Sequence, residues 1–143
     1  MAYSTSFTQS ITLLLVIHSL NEANGDKAVP TKLLAEYAGI PFASAVKTLK
    51  SLSSAGITAT KEGAGGGSML AKPVSRITLL DIFMAVEQDT PLFKMHTGIN
   101  CDHAIVDDLK QRVELCISSA ADTMKDSLRR ISLENIWTGR KLP

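Results

Sequence analysis

A glycine-rich stretch between Ala55 and Pro73 constrains the fold of this chain more than any other part of the sequence. Gly56 can take the positive φ that ends a preceding helix, and residues 57–60 and 69–71 favour extended structure. The tip between these extended segments contains Gly63, Gly65, Gly66 and Gly67. The stretch therefore predicts two short strands joined by a narrow tip, whose backbone amides can approach a phosphate closely. It does not match the nucleotide-binding pattern G-x-x-x-x-G-K-[ST].

Two short helices joined by a tight turn are predicted just upstream, between Pro30 and Leu52. Thr31 is placed to cap the first helix, Gly39 to end it, and Pro41 to begin the second. The first helix carries an apolar stripe made of Leu33, Leu34 and either Tyr37 or Ala38. Two such helices followed by a hairpin predict a winged helix-turn-helix, in which the second helix enters the major groove of DNA.

The second helix of this pair has an apolar face and a small polar face. Its inward face is expected to hold Leu49, Leu52 and either Ala45 or Val46. Its outward face is expected to hold Ser44, Lys47, Thr48, Lys50 and Ser51. Side chains of this kind can reach phosphates and base edges in a groove. The alternative is an ordinary solvated helix face, because small polar residues are common on protein surfaces.

Several segments of the chain resemble the Rrf2 family of bacterial transcription regulators, and the resemblance covers nearly the whole sequence. The segments are Tyr3-Ser4-Thr5, Leu33-Leu34-Ala35, residues 49–56, 63–73 and 77–82, and Ile131-Ser132-Leu133. The wing is the most specific of them, because family members place paired glycines before an aromatic, a variable residue, Leu, Ala, a basic residue and Pro. Here Ser68 replaces the aromatic, and Glu62 stands where many members carry a basic residue. Lys61 is therefore the expected wing cation.

Composition and charge are those of a small intracellular regulator. The 143 residues are 45% hydrophobic, which is ample for one compact core. The longest nearly apolar run, residues 11–17, is far short of the roughly 20 residues that a membrane span needs, and no basic residue precedes it. We therefore expect residues 7–20 to form a buried first helix of a cytoplasmic protein. Residues 1–76 carry seven Lys or Arg against four Asp or Glu, which favours DNA binding only weakly.

The second half of the chain predicts a dimerisation helix. Thr78 and Asp81 resemble a capping box that opens a helix running to about Glu87, and a loop over residues 89–102 follows. Apolar residues then recur at steps of three or four along a helix on the order of 40 Å long. They are Val106, Leu109, Val113, Cys116, Ala120, Met124, Leu128 and Ile131, and all except the first and last form the predicted dimer interface. A core helix within one chain is the alternative, but the family resemblance also implies dimerisation here.

Cysteine usage limits the chemistry that the resemblance implies. Iron-sulfur members of the family hold their cluster with three closely spaced Cys in the loop before the long helix, whereas this loop contains Cys101 alone. We therefore expect no cofactor and no metal, with zinc bound by His96, Cys101 and His103 as the alternative. Cys101 is the candidate redox sensor, and Cys116 is expected to be a buried structural thiol on the apolar stripe.

The sequence thus predicts a mainly α protein with a small β-wing. Residues 1–76 form the winged helix-turn-helix DNA-binding domain, and residues 77–143 form an effector loop and dimerisation helices. The predicted function is a homodimeric, sequence-specific repressor of double-stranded DNA that answers a redox or small-molecule effector near residues 93–103. The alternative is a winged-helix module that docks a protein and does not bind DNA, and no enzyme activity is predicted. The predicted DNA contacts are Thr31, Lys32, Ser44, Lys47, Thr48, Ser51, Lys61, Gly65, Gly66 and Gly67.

Overall fold

The computed structural model describes residues 5–87, 91–95 and 104–139 of the chain. Its elements, in chain order, are α1 (Ser6–Asn24), α2 (Thr31–Ala38), α3 (Phe42–Ser54), β1 (Thr58–Lys61), β2 (Gly67–Leu70), a 3-10 turn (Val74–Arg76), α4 (Leu79–Val86), α5 (Ala104–Arg129) and α6 (Leu133–Thr138). The chain is mainly α with a small antiparallel sheet, as the sequence predicts. Within the ranges described, no helix combines the length and the apolar character that crossing a membrane requires.

The first helix lies at the centre of the core. Leu13, Leu14 and Ile17 of α1 are completely buried, which confirms the prediction of a buried first helix. Apolar side chains from the later elements join the same cluster, among them Leu34, Leu49, Leu52, Ile57, Ile77, Ile82 and Leu133. Residues on both sides of position 76 share this core. The predicted boundary at residue 76 therefore stays a proposal about function, with DNA binding before it and effector response and dimerisation after it.

The helix-turn-helix forms where the sequence predicts it, with two differences. Gly39 ends α2 in the left-handed conformation, with a φ of 66°. Thr31 is the first residue of α2 and does not cap it, because Pro30 occupies the N-cap position and supplies no side-chain hydrogen bond. The buried stripe of α2 is Leu34 with Ala35, whereas Leu33 and Tyr37 are exposed.

The wing is a hairpin with a third segment beside it. Strand β1 pairs with β2 in an antiparallel register that sets Thr58 opposite Leu70 and Lys61 opposite Gly67. Val29, from the segment before α2, then forms an isolated bridge with Ser68, through N–H···O bonds of 2.8 and 2.9 Å. Ser68, which replaces the family's aromatic residue, is buried at 4% exposure beside this bridge.

Two capping boxes lie side by side, one at the start of α4 and one at the start of α6. Thr78 caps α4 by accepting from the Asp81 N–H at 3.1 Å, and the Asp81 carboxylate accepts from the Thr78 N–H at 3.0 Å, as the sequence predicts. Ser132 and Asn135 form the same reciprocal pair at the start of α6. Thr78 and Ser132 also form an antiparallel bridge, so the two helices begin side by side.

Candidate nucleic-acid interface

Helix α3 presents a lysine-bearing face to solvent. Lys47 and Lys50 are exposed, and Ser44 and Ser51 lie half-buried at the margins of the same face. Thr48 departs from the prediction, because it is only 5% exposed and belongs to the inward face. The reason is helical spacing, since Thr48 stands three residues after Ala45 and four before Leu52, both of which are buried. Thr48 is therefore corrected from an outward-facing position to a core position.

Two apolar side chains of α3 that sequence reasoning missed are exposed, Val46 beside the lysine-bearing face and Phe42 in the first turn, where it lines a pocket with α2. Phe42, the first residue of α3, is 57% exposed, and Val46 is 44% exposed. The sequence left Ala45 and Val46 as alternatives for the core, and the structure selects Ala45, which is completely buried. The outward face of α3 is therefore less polar than its sequence suggests.

The cations of the winged-helix domain are free to meet an anion. Among the residues that the structure describes, salt bridges are confined to α5, where Arg112 pairs with Asp108 at 2.8 Å and Arg129 pairs with Asp126. The exposed cations of the first 76 residues take part in neither pair: Lys27, Lys32, Lys47, Lys50, Lys61, Lys72 and Arg76. A lysine without an internal partner can neutralise a phosphate without first breaking an ion pair.

The wing glycines have different structural roles. A side chain at Gly67 would overlap the Val29 carbonyl group and lie 2.6 Å from the Pro30 nitrogen, so the bridge to Val29 requires glycine there. A Cβ at Gly66 would overlap the Lys61 carbonyl oxygen and lie 2.7 Å from that of Gly63. Gly65 has open space around it and a φ of 73°. Of the three glycines predicted to contact DNA, Gly65 is thus the one that is exposed and free of close packing.

The structure divides the predicted dimer interface on α5 into two groups. Leu109, Val113, Cys116 and Ala120 are exposed, whereas Met124 and Leu128 are half-buried. Leu128 packs against the core cluster of its own chain. Among the described residues nothing buries Cys116, whereas the sequence analysis expected a buried structural thiol at this position.

A pocket of 490 Å³ lies between α4, α5 and the segment 91–95. Its lining includes Phe83, Met84, Phe93, Ile117 and the carboxylates Glu87 and Glu114. Phe93, at the start of the predicted effector loop, is thus part of a concave and largely apolar surface of a size suited to a small ligand. Residues 96–103 of that loop, including His96, Cys101 and His103, lie outside the described residues.

An iron-sulfur cluster does not fit the donor set of a single chain. The sequence contains two cysteines, and such clusters ordinarily need three or four thiolates or a close substitute. Cys116 lies within α5, far along the helix from the loop that contains Cys101. Among the residues that the structure describes, no group of three His, Cys, Asp or Glu side chains is arranged to bind a metal ion.

Comparison with known proteins identifies the family. The profile of the Rrf2 family, an iron-dependent transcriptional regulator family, matches residues 3–139, and no curated protein matches the chain. Among solved structures, CymR (YrzC), the global cysteine regulator of B. subtilis, is 20% identical with a TM-score of 0.66, and the match covers 99% of each chain. IscR of T. potens is 17% identical with a TM-score of 0.64, over 99% of this chain and 89% of that one. The oxidized form of CymR from Staphylococcus aureus is 20% identical with a TM-score of 0.59, over 100% of this chain and 99% of that one. The chain therefore belongs to the Rrf2 family of winged-helix transcription regulators.

Proposed function

We propose that this protein is a homodimeric, sequence-specific DNA-binding repressor that acts in the cytoplasm by occupying its operator. One observation carries the proposal: in a chain of a transcription regulator family, the second helix of a helix-turn-helix exposes lysines that take part in no salt bridge among the described residues. Exposed Lys47 and Lys50 occupy the face of α3 that would enter the major groove.

The other predicted contacts surround this helix. Thr31 and Lys32 stand at the start of α2, where backbone N–H groups and a lysine ammonium can hold a phosphate. Lys61 ends β1 and is exposed at the base of the wing tip, next to the open backbone of Gly65. We assign base contacts to Ser44 and Lys47, and backbone contacts to Thr31, Lys32, Lys61 and Gly65. Ser51 stays at the margin, because its hydroxyl donates to the Lys47 carbonyl oxygen at 3.3 Å.

A dimer explains the exposed apolar residues of α5. No side chain of this 26-residue helix is buried within the chain. The apolar residues Leu109 and Val113 are accordingly exposed to solvent, at 53% and 50%. A two-fold axis along this helix would bury the apolar stripe of both chains at once. Such an axis would also set two copies of α3 about 34 Å apart, which matches successive major grooves on one side of a duplex.

The salt dependence of operator binding tests the DNA-binding proposal. We expect affinity for a selected genomic fragment, measured by fluorescence anisotropy, to fall steeply as salt rises, because bound lysines release counterions. Lys47→Ala should weaken binding about tenfold in a dimer that loses two contacts. Lys94→Ala is the matched control, since it removes an exposed lysine outside the winged-helix domain and should leave affinity nearly unchanged.

Docking of a protein is the second candidate function, and specific residues favour it. Leu33 and Tyr37 of α2 are 37% and 64% exposed, and Glu62 beside the wing tip is also exposed. A module that binds protein would show neither a steep loss of affinity with salt nor a requirement for Lys47. Absence of salt-sensitive binding to any DNA fragment would therefore favour this alternative over the repressor.

Control by an effector is the least constrained part of the proposal. Oxidation of Cys101, or a small molecule in the pocket beside Phe93, would change the angle between the two winged-helix domains. If Cys101 is the sensor, a thiol oxidant should weaken operator binding by the parent protein but not by Cys101→Ser. An equal response of the parent and the variant, or no response in either, would exclude this cysteine and leave the pocket as the candidate effector site.

A further inference from the structure

Three exposed residues in the first two turns of α3 have side chains that cannot form hydrogen bonds. Phe42 and Val46 are 57% and 44% exposed, and Ala43 is also exposed. Ala43, Val46, Lys47 and Lys50 follow one another at steps of three, one and three residues, which places them on one side of the helix. This apolar group therefore occupies the first two turns of α3, the part of a recognition helix that contacts base edges.

The composition of α3 restricts the kind of base contact that it can make. The helix contains no Arg, Asn, Gln, Asp or Glu, so Lys47 and Ser44 are left as the exposed or half-buried side chains of its first two turns that can form hydrogen bonds with bases. Thr48 is buried, and the Ser51 hydroxyl is engaged with the backbone. One other sequence feature of the major groove needs no hydrogen bond, namely the C5-methyl group of thymine, which apolar side chains recognise by contact.

We infer that Val46 and Phe42 read thymine methyl groups in the major groove of each half-site, and that Ala43 permits the close approach of the helix. This inference rests on the proposed function, because it concerns the bases that the same helix would contact. Lys50, beside the apolar group, is exposed and takes part in no salt bridge among the described residues, so it can hold a phosphate next to the groove. An apolar group next to lysines suits a groove in which thymine methyl groups lie between two anionic phosphate backbones.

Replacing thymine with deoxyuridine tests the inference, because the change removes the methyl group and leaves the base pairing unchanged. The operator would be obtained by selecting bound fragments of genomic DNA, and each thymine of a half-site would be replaced in turn. We expect affinity to fall about fourfold at a contacted thymine, the loss expected for one methyl group no longer buried. The same replacement outside the half-sites should have no effect.

Val46→Ala identifies the protein partner of the methyl group. Alanine is a better helix former than valine, so the variant should fold normally. It should bind the thymine operator several-fold more weakly than the parent, and its sensitivity to deoxyuridine at the contacted position should disappear. Phe42→Ala provides a second variant, for the thymine nearest the start of the helix. Ile136→Ala is the control, because it shortens a side chain of similar exposure, 38%, on α6.

The outcomes distinguish this inference from the proposed function. If operator binding is specific and salt-sensitive but no deoxyuridine substitution weakens it, thymine reading is wrong and the repressor proposal stands. If deoxyuridine weakens binding equally in the parent, Val46→Ala and Phe42→Ala, the assignment to these residues is wrong. If the protein shows no salt-sensitive binding to any fragment, both proposals fail, and the apolar face of α3 becomes a surface for docking a protein.

Discussion

Gly66 and Gly67 are required by the packing of the wing itself, which changes how the glycine run is interpreted. Gly67 has a φ of 144° and lies against the Val29 backbone, and Gly66 lies against the carbonyl oxygens of Lys61 and Gly63. Gly65 has a positive φ but no neighbour within 4 Å of an added Cβ. The sequence analysis assigned three wing glycines to DNA contacts. Packing within the wing explains Gly66 and Gly67, but it does not explain Gly65.

Alanine at these two positions should therefore have different effects. We expect Gly67→Ala to lower the free energy of unfolding by about 3 kcal/mol, because the new Cβ would break the bridge between Val29 and Ser68. Gly65→Ala should cost only about 1 kcal/mol, since it forces a positive φ without a collision. Urea unfolding at one fixed protein concentration measures both, because the stability of a dimer depends on concentration. Equal losses in the two variants would contradict this assignment.

Helices α4 and α6 start side by side, and backbone hydrogen bonds connect the two helix starts. The Leu79 N–H donates to the Ile131 carbonyl at 2.8 Å, and the Leu133 N–H donates to the Ile77 carbonyl at 2.9 Å. These bonds flank the Thr78–Ser132 bridge and connect the end of α5 to the winged-helix core. The end of α5 and the start of α6 are thus tied to the start of α4 by these backbone hydrogen bonds.

Loss of one cap should be measurable at this scale. We expect Thr78→Ala to destabilise the protein by about 1 kcal/mol, because the Asp81 N–H loses its acceptor at the start of α4. Thr78→Ser keeps the hydroxyl and should differ from the parent by only a few tenths of a kcal/mol. Thermal unfolding followed by circular dichroism would show the difference as a fall of about 4 °C for alanine alone. Similar falls for both variants would show that the lost methyl group, and not the cap, matters.

The elements also show which features a sequence reveals and which it does not. The pairing of Thr78 with Asp81 and the glycine ends of α2 and α3 are local signals, and they were predicted correctly. Thr48 was misplaced because its polar character was given more weight than its helical spacing from the buried face. The bridge from Val29 to Ser68 joins segments far apart in the chain, so no local pattern could indicate it. The exposure of Val46 likewise depends on how α3 packs against its neighbours.

The whole molecule is best explained if two chains pack along α5. Within one chain, the exposed stripe from Leu109 to Ala120 would leave apolar area in contact with water along much of a helix about 39 Å long. The C-terminal part of α5 already packs on its own chain through residues such as Leu128. The free stripe therefore belongs to the N-terminal part, which extends away from the core and can meet its copy across a two-fold axis.

A charged residue within this stripe should have two coupled effects: it should separate the two chains and weaken operator binding. Val113 is 50% exposed in the single chain, so Val113→Asp should fold normally, yet a dimer would bury two aspartates near one another. We expect the dimer dissociation constant, measured by analytical ultracentrifugation, to rise at least about 100-fold, the result of roughly 3 kcal/mol lost.

Gln111→Asp is the control. It places the same charge on the opposite side of α5 and should leave both association and DNA binding unchanged. Because a single chain reaches only one half-site, operator affinity of Val113→Asp should recover at protein concentrations high enough to restore the dimer. A variant that stays dimeric, or one that binds the operator as tightly while monomeric, would show that α5 does not couple the two winged-helix domains.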